Sequence, residues 1–155
     1  MIHVLFVDDH TAFRAALAFM LDREDDISIV GQAGSVAEAR AVLQRSPVDV
    51  ALVDLDLGGE DGTELVHAIR SHHPEAVAVV LTGNPSPESR ALAVAAGAVG
   101  VLYKTTSIPD VAAAVRQAAA GQPLISPTEA VELFRQALAH QARTEEGQRA
   151  LQSLT

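Results

Sequence analysis

Six residues of this chain place oxygen or nitrogen chemistry at the ends of apolar runs. Asp8 and Asp9 follow "HVLFV", Asp54 and Asp56 follow "VALV" within "VALVDLDL", Thr82 ends "AVAVVLT", and Lys104 ends "GVLYK". Carboxylates crowded together raise one another's pKa, because each charge opposes the next. A hard dication removes the conflict. Mg2+ takes oxygen ligands, keeps several waters, and is held by one or two carboxylates plus phosphate oxygens. If the segments converge, Asp8, Asp9, Asp54 and Asp56 form a candidate Mg2+ site. Asp54 is then the candidate nucleophile, forming an acyl phosphate as carboxylates do in covalent phosphoryl transfer. Thr82 would hydrogen-bond one phosphoryl oxygen and Lys104 would pair with another, so catalysis is positioning plus charge neutralisation.

The elements that must position these residues are legible as alternation. Residues 2–7, 27–33, 48–53, 76–81 and 98–103 are apolar at nearly every position, the mark of strands buried on both faces in a parallel sheet. Between them the period becomes helical. In "TAFRAALAFMLDRE", Phe13, Leu17, Met20 and Leu21 share a face. "SVAEARAVLQR" opens with the capping pair Ser35 and Glu38 and turns Val36, Ala39, Val42 and Leu43 inward. "GTELVHAIRSHH" supplies a third helix. A fourth starts at Ser86-Pro87 and stops at Gly97, and a fifth has Pro109 near its start and Gly121 beyond its end. Five βα units predict an α/β fold: a doubly wound five-stranded parallel sheet with right-handed crossovers and helices on both faces. Ligands of such sheets bind beyond the carboxyl ends of the strands, and those ends carry the six residues.

After Gly121 the pattern changes. "QPLISP" is a short extended connector, and Ser126 with Glu129 caps a sixth helix expected over about 128–143, with Ala130, Val131, Phe134 and Leu138 as its apolar stripe. That stripe is expected either to pack on the domain or, by preference, to serve as an interface, and the polar tail "TEEGQRALQSLT" to be loose. The chain has 155 residues and a net charge of −9, which opposes phosphate backbones and argues against direct nucleic-acid binding by this chain. It has no cysteine, so disulfides, thiolate metal sites and cysteine nucleophiles are excluded. The longest apolar run, Ala91 to Tyr103, is too short to span a bilayer, and "MIHVLFV" reads as a strand, not a signal peptide; no membrane contact and a cytoplasmic location are expected.

Taken in order and spacing, Asp8-Asp9, Asp54, Asp61-Gly62, Thr82-Gly83 and Lys104 resemble the receiver domain of two-component response regulators over residues 1 to about 121. "VDDH", "AGAVGVLYK" and "GQPLISP" are most similar to the LuxR/NarL-type subgroup. The resemblance implies a flavodoxin-like sheet of order 2-1-3-4-5 and phosphotransfer from a sensor histidine kinase to Asp54. It implies Mg2+ bound by Asp9, Asp54 and the backbone carbonyl of Asp56, and a switch between inactive and active states. It also implies homodimerisation on phosphorylation and a transcriptional output that reaches DNA only through another domain. In that subgroup the helix-turn-helix domain commonly opens Leu-Thr, and this chain ends Leu154-Thr155. The expected organisation is therefore a receiver at 1–121 and a linker helix and tail at 122–155, leading to a DNA-binding domain absent from the chain. A single-domain receiver is the alternative.

Three positions depart from the family pattern. The aromatic commonly found three residues before the lysine is Val101; either Tyr103, on the same strand face, substitutes for it or the switch works without an aromatic. Gly58 stands where proline is usual, and Gly58-Gly59 predicts a more mobile loop. Asp56 adds a carboxylate. A rival reading takes "DLDL" as the Asp-x-Asp of haloacid-dehalogenase-type phosphatases, with Asp54 as nucleophile and Asp56 as acid/base. Chain order opposes it, since those enzymes end with an acidic pair and this chain begins with one; a phosphoacceptor, not an enzyme, is expected. His10 adjoins the site as a cover. His72-His73 diverge on a helix surface, and "GQAGS" is a turn lacking the dinucleotide-binding spacing.

Overall fold

The structure, a computed structural model, describes residues 1–83 and 86–153, with side chains described to residue 145. Seven strands follow in chain order: β1 (Ile2–Val7), β2 (Ile27–Ala33), β3 (Val50–Val53), β4 (Asp56–Leu57), β5 (Glu60–Asp61), β6 (Val77–Thr82) and β7 (Gly100–Tyr103). The helices are α1 (Thr11–Asp22), α2 (Val36–Arg45), α3 (Gly62–His72), α4 (Pro87–Ala96), α5 (Ile108–Ala119) and α6 (Pro127–Ser153). Five strands pair in parallel in the order β2-β1-β3-β6-β7. With the small antiparallel β4–β5 hairpin set aside, this is the expected 2-1-3-4-5 sheet.

The continuous apolar runs now have a cause. Along β1, Leu5 and Val7 enter one core with Ala51, Val53, Ala78 and Val80, under Val42 of α2 and Leu65 and Ile69 of α3. Val4 and Phe6 point the other way and meet Val50, Leu52, Val79 and Leu81, under Leu17 and Leu21 of α1 and Val111 and Val115 of α5. Both faces of each central strand are covered, so neither parity of position can be polar. The expected α1 face holds at Leu17 and Leu21, whereas Met20 is exposed. Serines 35, 86, 107 and 126 each accept a backbone N–H three residues on, which starts α2, α4, α5 and α6. Gly97, at φ 118°, ends α4 in the left-handed conformation.

Beyond α5 the structure corrects two expectations. The helix expected over about 128–143 with a loose tail runs from Pro127 to Ser153. Residues 144–153 are mostly strong helix formers without proline, and Gly147 costs only about 1 kcal/mol relative to alanine. The apolar stripe is also divided. Ala130, Leu133 and Ala137 pack on Ala91, Val94 and Ala95 of α4 and on Ile125, while Val131, Phe134 and Leu138 are 60%, 48% and 52% exposed. The helix carries two adjacent apolar faces, and α4 takes the one whose small alanines allow close approach. Arg90 of α4 and Glu129 of α6 form an ion pair across this seam. Leu154 and Thr155, on which the linker expectation partly rests, lie outside the described residues.

Candidate functional site

Each central site residue extends a strand by one position. The Asp8 N–H donates to the Ala33 carbonyl, the Asp54 N–H to the Val7 carbonyl, and the Lys104 N–H to the Thr82 carbonyl, all at 2.9 Å. The sheet ladder thus carries Asp8, Asp54 and Lys104 to one rim. Val7 and Val53 are register partners, so Asp8 and Asp54 emerge side by side at the point where the strand order reverses. Thr82 closes β6 on the same rim and is buried.

Asp8 and Asp54 are 1% and 3% exposed, so neither carboxylate has bulk water to stabilise its charge. Lys104 supplies the counter-charge. Its Nζ lies 2.9 Å from Asp8 Oδ2, 2.9 Å from Asp54 Oδ2 and 3.1 Å from His10 Nδ1. An ammonium has three N–H donors and no acceptor, so these three contacts use its full capacity. The Phe13 ring, 5.0 Å from Nζ, closes the remaining side by a cation–π contact. Burial pushes the Asp54 carboxyl above its ordinary value, outweighing the opposing pulls of the Lys104 ion pair and the Asp56 amide. Burial works to lower the Lys104 ammonium, but its hydrogen bonds to Asp8 and Asp54 prevail and raise it.

The loop after β1 is held by its own backbone. The His10 N–H donates to Asp8 Oδ1 at 2.8 Å, and Arg14 Nη1 donates to the Asp8 carbonyl at 2.6 Å. His10 is the N-cap of α1 and no side chain caps that helix, so Asp9 is not spent on capping. Asp9 Oδ1 is instead shielded from solvent and accepts no hydrogen bond. One ligand atom from each of Asp8, Asp9, His10 and Asp54 lies within 4.8 Å of the others. A cluster rich in carboxylate oxygens with one buried oxygen left over is the donor set a divalent cation requires, so the residues fit Mg2+.

The loop after β3 borders this cluster. The Asp56 amide donates to Asp54 Oδ1 at 3.2 Å, while the Asp56 side chain is exposed and lies outside the grouped ligand atoms. Gly58 and Gly59, expected as a mobile loop, close the β4–β5 hairpin with φ of 63° and 96°. Two consecutive positive-φ residues are what a two-residue hairpin turn demands, and buried Leu57 anchors it. A Cβ on Gly58 would stand 3.2 Å from Asp9 Oδ2, so the turn runs close over that carboxylate. Gly62 is bound more tightly still: a Cβ there would meet the Asp54 carbonyl at 2.3 Å and Leu55 Cα at 2.7 Å. Asp61 beside it caps α3 by accepting the Thr63 N–H at 2.9 Å. On β7, Val101 packs against the α3 side of the core, and the Tyr103 N–H donates to Thr106 Oγ1 at 3.2 Å. His73 closes α3 and sits 3.7 Å from Glu75, away from the rim. The sequence reading took His10 only as a cover and did not single out Arg14 or assign Phe13 beyond the core; the adjacency Asp-Asp-His was the one available signal.

The sequence pattern of the response regulator receiver domain family matches residues 4–116. The chain is 35% identical over 134 residues to the DNA-binding transcriptional activator DevR/DosR of Mycobacterium tuberculosis, covering 86% of this chain and 62% of that protein. It therefore spans about three fifths of the length of that relative. A LuxR-family two-component response regulator from Aurantimonas sp. superposes with a TM-score of 0.74 at 25% identity, covering 88% of this chain and 97% of that one. A response regulator from Burkholderia pseudomallei, solved with a phosphorylated aspartic acid, a calcium ion and citrate, gives a TM-score of 0.70 at 30% identity, over 78% and 70% of the two chains.

Proposed function

Because the chain belongs to the response regulator receiver domain family, we propose that Asp54 is its phosphoacceptor, charged by the phosphohistidine of a sensor histidine kinase. An Asp54 carboxylate oxygen bonds the phosphorus as the P–N bond breaks. The electron pair returns to the donor imidazole, which takes up a proton, and an acyl phosphate remains on Asp54. Asp8, Asp9 and Asp54 would hold Mg2+, which when bound would supply positive charge against the phosphoryl oxygens. Lys104 offers its ammonium to the same oxygens once it releases Asp54, and Thr82 its hydroxyl. The observation that carries the reading is the buried Asp54, paired at 2.9 Å with a lysine from a different strand and flanked by Asp8.

Burial raises the Asp54 pKa while Lys104 and the Asp56 amide pull it down, which ties the carboxylate's charge to the groups assembled around it. In this reading residues 1–121 are the receiver. Residues 122–155 form a linker helix and tail that join it to a helix-turn-helix domain outside this chain, through which DNA is reached. Phosphorylation shifts the inactive–active balance, and a homodimer is the assembly expected of the active form. Among the described residues no helix is long and apolar enough to cross a membrane. The haloacid-dehalogenase alternative is not favoured: the family pattern covers 4–116, and the Asp56 side chain stands apart from Asp54's partners.

The test is acetyl phosphate labelling followed by mass spectrometry with acyl-phosphate trapping. Label is expected on Asp54 only when Mg2+ is present. Equal labelling of the Asp54→Asn protein would overturn the assignment.

A further inference from the structure

His10 enters the site in a way that a covering residue would not. Its Nδ1 lies 3.1 Å from Lys104 Nζ, 3.2 Å from Asp8 Oδ1 and 3.5 Å from Asp9 Oδ1. A lysine ammonium can only donate, so in the tautomer that accepts from Nζ the single Nδ1 lone pair faces Lys104, beside the two carboxylates, and a cation could take it once Lys104 moves away. Asp8 Oδ1 is already served by the His10 backbone N–H at 2.8 Å and has no need of the ring. The ring itself is 66% exposed, free to settle onto whatever cation joins the cluster. Lys104 reaches Asp8, Asp54 and His10 but leaves Asp9 Oδ1 without a hydrogen bond, so a second positive charge has a vacant oxygen to meet. An imidazole nitrogen among carboxylate oxygens changes which ion the site favours. Mg2+ is a hard oxygen-seeking ion, whereas first-row transition ions such as Mn2+ accept mixed nitrogen and oxygen ligands and gain from the nitrogen.

We propose that His10 is a nitrogen ligand of the cation site and that it makes the site prefer a first-row transition dication such as Mn2+ over Mg2+. The inference rests on the reading of this cluster as the cation site, and concerns which ion that site selects. Loss of even an outer-sphere partner costs metal affinity about 10- to 100-fold. Removing a direct ligand that only the transition ion exploits should lower the Mn2+-to-Mg2+ affinity ratio by at least about tenfold.

Two measurements on the full chain decide it. Electron spin-echo spectroscopy of bound Mn2+ should show a directly coordinated nitrogen that changes when histidine is labelled with 15N and vanishes in the His10→Gln protein. Calorimetric titration with Mn2+ and with Mg2+ should show the ratio fall in the same variant, with Mg2+ affinity nearly unchanged. Bound Mn2+ without a nitrogen signal, or an unaltered ratio, overturns the role of His10 while leaving the cation site standing. If neither ion binds and Asp54 labels equally well without metal, both readings fall together.

Discussion

Two contact regions of this molecule are built on opposite principles. At the rim of the sheet, Asp8, Asp54 and Lys104 come from three separated segments and meet as charges with almost no water between them. At the seam between α4 and α6, Ala91, Ile125, Leu133 and Ala137 meet as volumes. At the rim each charge depends on a particular opposite charge at a particular distance, so removing the one lysine strands the acids that it serves. The seam depends on apolar area and fit, and a residue of similar size would serve. The difference separates what the fold needs from what the chemistry needs. A domain choosing only stability would not bury two adjacent carboxylates.

Removing Lys104 is the strongest way to break the comparison. Lys104→Ala strands two buried carboxylates, and breaking such a pair typically costs 3–5 kcal/mol; the low end, about 3 kcal/mol, is expected because the rim is partly open and the acids can take up protons. Urea denaturation at neutral pH without divalent cations measures it, and a loss well under 1 kcal/mol would show that the rim is not held by charge. The raised Lys104 pKa gives the sign: its contribution is complete below the ordinary lysine value and disappears only as pH rises through the folded value.

The seam should yield less. Leu133→Ala should cost about 2 kcal/mol, the lower end for a core leucine, since the cluster it belongs to is small and shallow. Hydrogen exchange should accelerate in α6 while β1 and β3 stay protected. If β1 and β3 lose protection equally, α6 is part of the main core and the two regions are not independent.

The smallest effect has the opposite sign. Burial raises Asp54, so the stability linked to its proton is present below the ordinary aspartate value and lost as pH rises through the folded one. At neutral pH the wild-type chain carries that penalty and Asp54→Asn does not. The variant should therefore denature at a higher urea concentration at pH 7, with the gap closing as pH falls toward the ordinary aspartate range. A variant less stable than wild type at pH 7 would mean that Lys104 more than offsets burial.

How far the sequence could be read follows the same divide. The five main strands, their parallel arrangement and the caps at Ser35, Ser86 and Ser126 were legible because burial on both faces leaves no polar position in a strand and a helix start needs an oxygen acceptor. The strand order came from the family resemblance. Asp8, Asp54, Thr82 and Lys104 were legible through their places at strand ends. The role of His10 was not, because chain spacing gives no ring direction. Nor were the contacts of Phe13 and Arg14, which depend on how α1 is rotated against the sheet. The face that α6 presents to α4 was not legible for a related reason: its residues 130, 133 and 137 and residues 131, 134 and 138 are equally apolar in pattern, and only α4's small side chains choose between them.

By itself the sequence determined the alternation of strand and helix, and with it the rim on which every strand ends, because hydrophobic period and capping are local properties of the chain. Only the tertiary structure decided that Lys104 spans Asp8 and Asp54, that Asp9 keeps an oxygen unused, and that Val131, Phe134 and Leu138 face outward. Those are matters of distance and direction between segments far apart in the chain, and they exist only once the sheet has brought the segments together.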